Sequence, residues 1–117
     1  MTITIHDLAP GMNTLLRMHF RTYGKIRDKW QVELRAAVGT LRYTGPCSIS
    51  IQRHYAGVPM DLDNLYSTCK IPLDAMVRAK ILPEDNPEAL VGLTCKQSKV
   101  ATRKEERTEI TITRCAA

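Results

Sequence analysis

Four short stretches of this chain alternate polar and apolar residues, and that period of two constrains the fold more than any other feature. Residues 2–6 read Thr-Ile-Thr-Ile-His. Cys47, Ile49 and Ile51 alternate with Ser48, Ser50 and Gln52. Val91, Leu93 and Cys95 repeat the pattern, and Ile110 and Ile112 stand among threonines before Cys115. Successive side chains of a strand point to opposite faces, so each stretch describes a strand with one face buried and one face wet.

The segments between them carry a different period. Pro10-Gly11 breaks the chain, and Asn13 or Thr14 can cap a helix that starts there. Over residues 14–38, Leu15, Met18, Phe20, Ile26, Trp30, Leu34 and Val38 supply much of a helical apolar stripe. Gly24 interrupts it and marks a loop or a division into two shorter helices, while Gly39 and Gly45-Pro46 end the region. His54 to Met60 reads as a loop. Residues 64–80 read as a second helical region, with Pro72 splitting it by starting a new turn at Ile71 to Leu73. Pro83 and Pro87 bracket a turn, and Lys96 to Glu106 reads as a charged loop. The order β-α-β-α-β-β implies an α/β (α+β) fold: a small mixed four-stranded sheet with two helical regions packed on it, in one domain over 1–117.

Composition narrows the function classes. With 44% apolar residues in 117, a core can form without staples. No apolar run exceeds three residues, which excludes a transmembrane helix and a signal-peptide core and leads to the expectation of a cytoplasmic protein with no membrane partner. Cys47, Cys69, Cys95 and Cys115 contain no C-x-x-C pair, so they read as buried reduced thiols rather than a zinc site or a disulfide framework. Aromatic residues are too scarce for a base-stacking platform. His6, His19 and His54 have no spacing that suggests a metal cluster or a triad, and nucleotide-binding and serine-hydrolase motifs are missing.

Charge is unevenly placed. The chain is +5 overall, yet residues 61–88 hold six acids and three cations, net −3, which leaves fourteen cations and six acids, net +8, elsewhere. An acidic island in a basic protein suits a metal-dependent phosphodiesterase: cations hold the nucleic-acid backbone while carboxylates hold the metal at the bond to be cut. A solvated helix face is the alternative. Within the island, Asp61-Leu62-Asp63-Asn64 is the sharpest feature. If the segment is extended, Asp61 and Asp63 project to one side, Leu62 anchors it in the core and Asn64 caps the next helix. Mg²⁺ takes one or two protein carboxylates, so the pair suits it; an N-cap or surface turn would use the same residues. Glu84-Asp85 forms a second acidic point that an antiparallel return could bring back toward the first. On a continuous helix Asp63, Ser67, Lys70 and Asp74 share one face. Lys70 would then stand beside the carboxylates and neutralise a phosphate, or simply pair with Asp74.

Taken together, Asp61-Leu62-Asp63-Asn64-Leu65, Lys70-Ile71-Pro72-Leu73-Asp74-Ala75-Met76 and Ile81-Leu82-Pro83-Glu84-Asp85 resemble the RusA family of Holliday junction resolvases. Asn13 to Phe20, followed by a basic stretch ending at Trp30, is similar to the N-terminal region of phage and prophage members, and the resemblance spans residues 10–113. It implies a small α/β homodimer that binds four-way DNA junctions by shape and cuts two opposing strands with Mg²⁺, or Mn²⁺ as a substitute, in DNA recombination and repair. Asp61, Asp63 and Asp85 match the family's catalytic, metal-binding acids. Lys70 matches its lysine when placed by the distance to Asp74; a short insertion then separates Asn64 from Lys70, taken up as a kink or a new helical start. Glu84 stands where the family often has another aspartate. Arg17, Arg21, Lys25, Arg27 and Lys29 are the expected DNA-backbone contacts, alongside the 96–107 region. The competing readings are a non-catalytic basic nucleic-acid-binding module and a basic scaffold for acidic proteins.

Overall fold

A computed structural model describes residues 1–84 and 86–115. The alternating stretches become β1 (Thr2–Ile5), β2 (Cys47–Tyr55), β3 (Leu90–Lys99) and β4 (Arg107–Arg114). They form one mixed sheet in the order β1-β4-β2-β3, with β2 and β3 parallel and the other two pairs antiparallel. Parallel neighbours need a crossover, and the second helical region supplies it. The helices are α1 (Met12–Arg17), α2 (Phe20–Val38), α3 (Leu62–Ser67) and α4 (Lys70–Arg78). The expected small α+β architecture is therefore present.

The period of two has its physical outcome in the core. Ile3, Ile5, Cys47, Ile49, Ile51, Cys95, Ile110 and Ile112 are buried, and they pack with Trp30 and Leu34 of α2 and Ile71, Ala75 and Met76 of α4. Fully burying an aliphatic or methionine side chain contributes about 1.5–3 kcal/mol, so this shared face outweighs local propensity. All four cysteines are free; three are buried, but Cys115 is only partly so. None of the described helices is long and apolar enough to cross a membrane.

Several boundaries differ from the expectation. The first helical region divides at Met18 and His19, not at Gly24, which lies inside α2. The His19 side chain accepts from the Arg21 amide at 3.1 Å and so starts a new helix, while a helical glycine costs only about 1 kcal/mol against the burial of Trp30 and Leu34. Phe20, counted in the apolar stripe, is 73% exposed and stacks on His19. β3 continues through Lys96 to Lys99, and β2 through His54 and Tyr55, in place of the expected loops. The β2–β3 ladder runs from Ser48↔Gly92 to Tyr55↔Lys99 and uses backbone groups, so polar side chains do not stop it. β3 is an edge strand, where lysines are well suited to discourage further pairing.

The second helical region also divides. Thr68 and Cys69 form a turn, and α4 starts at Lys70, one residue before the expected new turn. Pro72 falls in the first turn of α4, where its missing amide proton would have no helical partner. α4 ends on Lys80 at φ 61°, with Ile81 N donating to Met76 O at 2.9 Å and Lys80 N to Val77 O at 3.0 Å. This is a Schellman closure with lysine where glycine is usual.

Candidate functional site

Asp61 is the N-cap of α3, with extended backbone at φ −64° and ψ 155°, and Asp63 lies in the helix's first turn. The segment is thus helical from Leu62, not extended through Asn64. Residues two apart on a helix do not face each other, so the two acids share a helix end rather than a strand face. Leu62 does not anchor them: it is 72% exposed, and Leu65, 1% exposed, takes that role. Both acids are exposed, and neither carboxylate makes a hydrogen bond or ion pair among the described residues. Carboxylate oxygens left free in this way are the hard donors that Mg²⁺ takes, one or two to a site, so the donor set fits the metal.

Two clamps hold this turn. Gln97 on β3 grips the backbone of Met60, the residue before Asp61, accepting from its amide at 3.0 Å and donating to its carbonyl at 2.8 Å. On the far side, Met12 N donates to Asn64 Oδ1 at 2.9 Å and to Ser67 Oγ at 2.6 Å. Asn64 therefore caps α1, not the helix it belongs to, and Gly11 rather than Asn13 or Thr14 is the α1 N-cap. A Cβ at Gly11 would lie 2.5 Å from Asn64 Oδ1, so the approach needs glycine. Neither clamp is legible in the sequence: Gln97 falls in an apparent loop, and Asn64 looks like a local cap.

The break at Thr68–Cys69 ends the continuous face that was to carry Asp63, Ser67, Lys70 and Asp74 together; Ser67 instead serves α1. Lys70 is exposed at the first position of α4 and pairs with Asp74 at 3.4 Å. Asp74 also accepts the Tyr23 hydroxyl of α2. Burial, reinforced by that carboxylate, raises the Tyr23 hydroxyl above its ordinary titration range. Glu84 is exposed in the bend after α4, and Asp85 lies outside the described residues. Among the described residues, no three His, Cys, Asp or Glu side chains converge on one point.

Of the basic residues, Arg17 is exposed at the end of α1, and Arg21, Lys25 and Lys29 recur every four residues along α2 as one stripe. Arg21 stacks over Phe20 at 5.9 Å, and Lys25 is exposed. Lys29 pairs with Asp7 at 3.3 Å, while Arg27 lies over the Tyr23 ring and near Asp28 at 3.5 Å. Arg17, Arg21 and Lys25 are thus exposed cations of the α1–α2 arm without an acidic neighbour among the described residues, while Arg27 and Lys29 already have one.

Neither a scan against models of known protein families nor a search of curated proteins returned a match to this chain.

Proposed function

We propose that this protein is a Mg²⁺-dependent endonuclease for branched DNA, resolving four-way junctions as a homodimer by paired symmetric nicks. One observation carries the reading. The free carboxylates of Asp61 and Asp63 stand on a helix whose Asn64 and Ser67 are bonded to the first turn of the basic α1–α2 arm. Acids for a metal and cations for a backbone are thereby joined through one short set of hydrogen bonds. The resemblance of the three motifs in 61–85 to junction resolvases supports the same substrate class.

In this reading Asp61 and Asp63, with Asp85, would hold the metal. Bound there, Mg²⁺ would supply an activated water and charge for the departing oxygen. Lys70 exchanges its exposed contact with Asp74 for a phosphate oxygen. Arg17, Arg21 and Lys25 grip backbone phosphates, and Arg27 and Lys29 join them where their acidic neighbours release them, which positions DNA without reading its sequence. Two copies about a two-fold axis place two sites on opposing strands. The Lys70–Asp74 pair and the N-cap position of Asp61 favour a second reading, a basic nucleic-acid-binding module without catalysis.

Nicking of a synthetic four-way junction with and without Mg²⁺ tests the proposal, with sedimentation reporting the oligomer. Metal-dependent paired nicks by the wild type, lost in Asp63→Asn while junction binding persists, are the expected result. Binding without nicking in either Mg²⁺ or Mn²⁺ favours the second reading.

A further inference from the structure

The end of β2 places His54 and Arg53 on opposite faces of the sheet. His54, on the polar face, has Nδ1 2.8 Å from Ser98 Oγ, while its Nε2 approaches Glu109 Oε1 at 2.7 Å without hydrogen-bond geometry. Arg53 has the parity of Ile49 and Ile51 and so shares their helix-covered face. Its guanidinium carbon stands 5.5 Å from the centre of the Tyr55 ring, which steadies it by stacking. Nε and Nη1 are shielded from solvent and have no hydrogen-bond partner among the described residues.

The polar neighbours of Arg53 bond to other groups, and none of them accepts from its Nε or Nη1. Its cross-strand partner on β4, Thr108, donates to Asp7 O at 2.7 Å. Its partner on β3, Gln97, holds Met60. The Glu106 carboxylate accepts from the Ala56 amide at 2.9 Å. Burial weakens the guanidinium's hold on its proton and Glu106 opposes this, but arginine stays charged. A shielded donor without an acceptor costs about 1–3 kcal/mol, and more when charged, so a missing acceptor calls for explanation. Its position suggests one. Gln97 fixes the residue preceding Asp61, and Arg53 stands one strand spacing, about 4.8 Å, from Gln97 on the same face.

We propose that Arg53 is an oxyanion site for a phosphate beside the Asp61–Asp63 turn. Its planar fork of N–H donors matches two phosphate oxygens. Its catalytic role rests on the nuclease reading: there, Arg53 holds the scissile phosphodiester against the acid-bearing turn. Lys70, drawn to Asp74 beyond the helix break, is then the second cation.

The test combines a binding signal with cleavage. Titration of the wild-type protein with inorganic phosphate is monitored by the Arg53 Nε–Hε resonance, assigned by its loss in Arg53→Lys. The resonance should shift saturably, and in a cleavage assay Arg53→Gln should lose about 100-fold or more in rate at an unchanged melting temperature, with Arg53→Lys intermediate. An Arg53 resonance that phosphate does not move overturns the site. A folded Arg53→Gln protein that cuts at the wild-type rate overturns the catalytic role and leaves the nuclease reading standing. If the wild type cuts no branched DNA but its Arg53 resonance responds to phosphate, the nuclease reading fails and the oxyanion site survives. Should Arg53→Gln not fold, the wild-type titration decides the proposal.

Discussion

Gly11→Ala is the most direct probe of the contact between the basic arm and the acidic helix. The backbone at Gly11, φ −88° and ψ 179°, is open to alanine, so any penalty comes from space and not from backbone strain. The new Cβ would lie 2.5 Å from Asn64 Oδ1 and 3.1 Å from its Cγ. Either Asn64 turns away and Met12 N loses an acceptor, at about 1 kcal/mol, or α1 and α3 separate, at the roughly 1–3 kcal/mol typical of overpacking. The smaller entropy of an unfolded alanine chain offsets about 0.4–1 kcal/mol. The net loss is at most about 2.6 kcal/mol, and it is near zero where Asn64 simply turns away, which is up to roughly 10 °C in Tm at about 4 °C per kcal/mol for a domain of this size. Thermal unfolding measured for Gly11→Ala, Asn64→Ala and the double variant checks the reasoning. Because Asn64→Ala removes the obstructing amide, the Gly11→Ala penalty should shrink in that background by about 1 kcal/mol. Equal effects of Gly11→Ala in both backgrounds would refute the contact. Gly24→Ala is the control: its Cβ meets only Arg27 Nη2 at 3.7 Å, so the same substitution inside α2 should stabilise by about 1 kcal/mol.

Other outcomes rest on particular geometry. Lys80→Gly relieves a left-handed lysine at the end of α4 and should raise stability by about 1 kcal/mol in chemical denaturation. Tyr23 titrates higher in the folded protein than its ordinary value of 10.0, so its contribution is complete below that value and is lost as pH rises through the folded-state value; the stability advantage of wild type over Tyr23→Phe should shrink above pH 10, and an advantage constant with pH would contradict this. Asp61→Asn, Asp63→Asn and Asp85→Asn should each cut junction cleavage by about 100-fold or more while leaving binding intact or tighter, measured by gel shift beside the nicking assay. Lys70→Ala should lower cleavage with a change in stability below about 0.5 kcal/mol, since its pair with Asp74 is exposed on the lysine side; a large fall in Tm would mark it as structural instead.

Period and punctuation made much of this fold legible in the sequence. The isoleucines at 3, 5, 49, 51, 110 and 112 declared their buried face by alternation alone, because a strand has no other way to bury one side. Pro72 announced that the second helical region would restart, and the Asp61-Leu62-Asp63-Asn64 cluster stood out by local charge. The sequence did not determine the tertiary partners. Asn64 looked like the cap of its own helix, yet it caps α1, because the fold brings residues 52 apart together at a glycine with no side chain to intervene. Gln97 and Arg53 carried no local signal: their positions depend on the register of β2 against β3 and β4, which pairs backbones whatever the side chains. The two helix breaks likewise fell where a His19 cap and the Thr68–Cys69 turn met the demands of packing, with the restart one residue before the expected new turn at Ile71 and the other break several residues from Gly24. Local chemistry thus specified which segments were strands and helices, and long-range contact decided which side chains surround the acids.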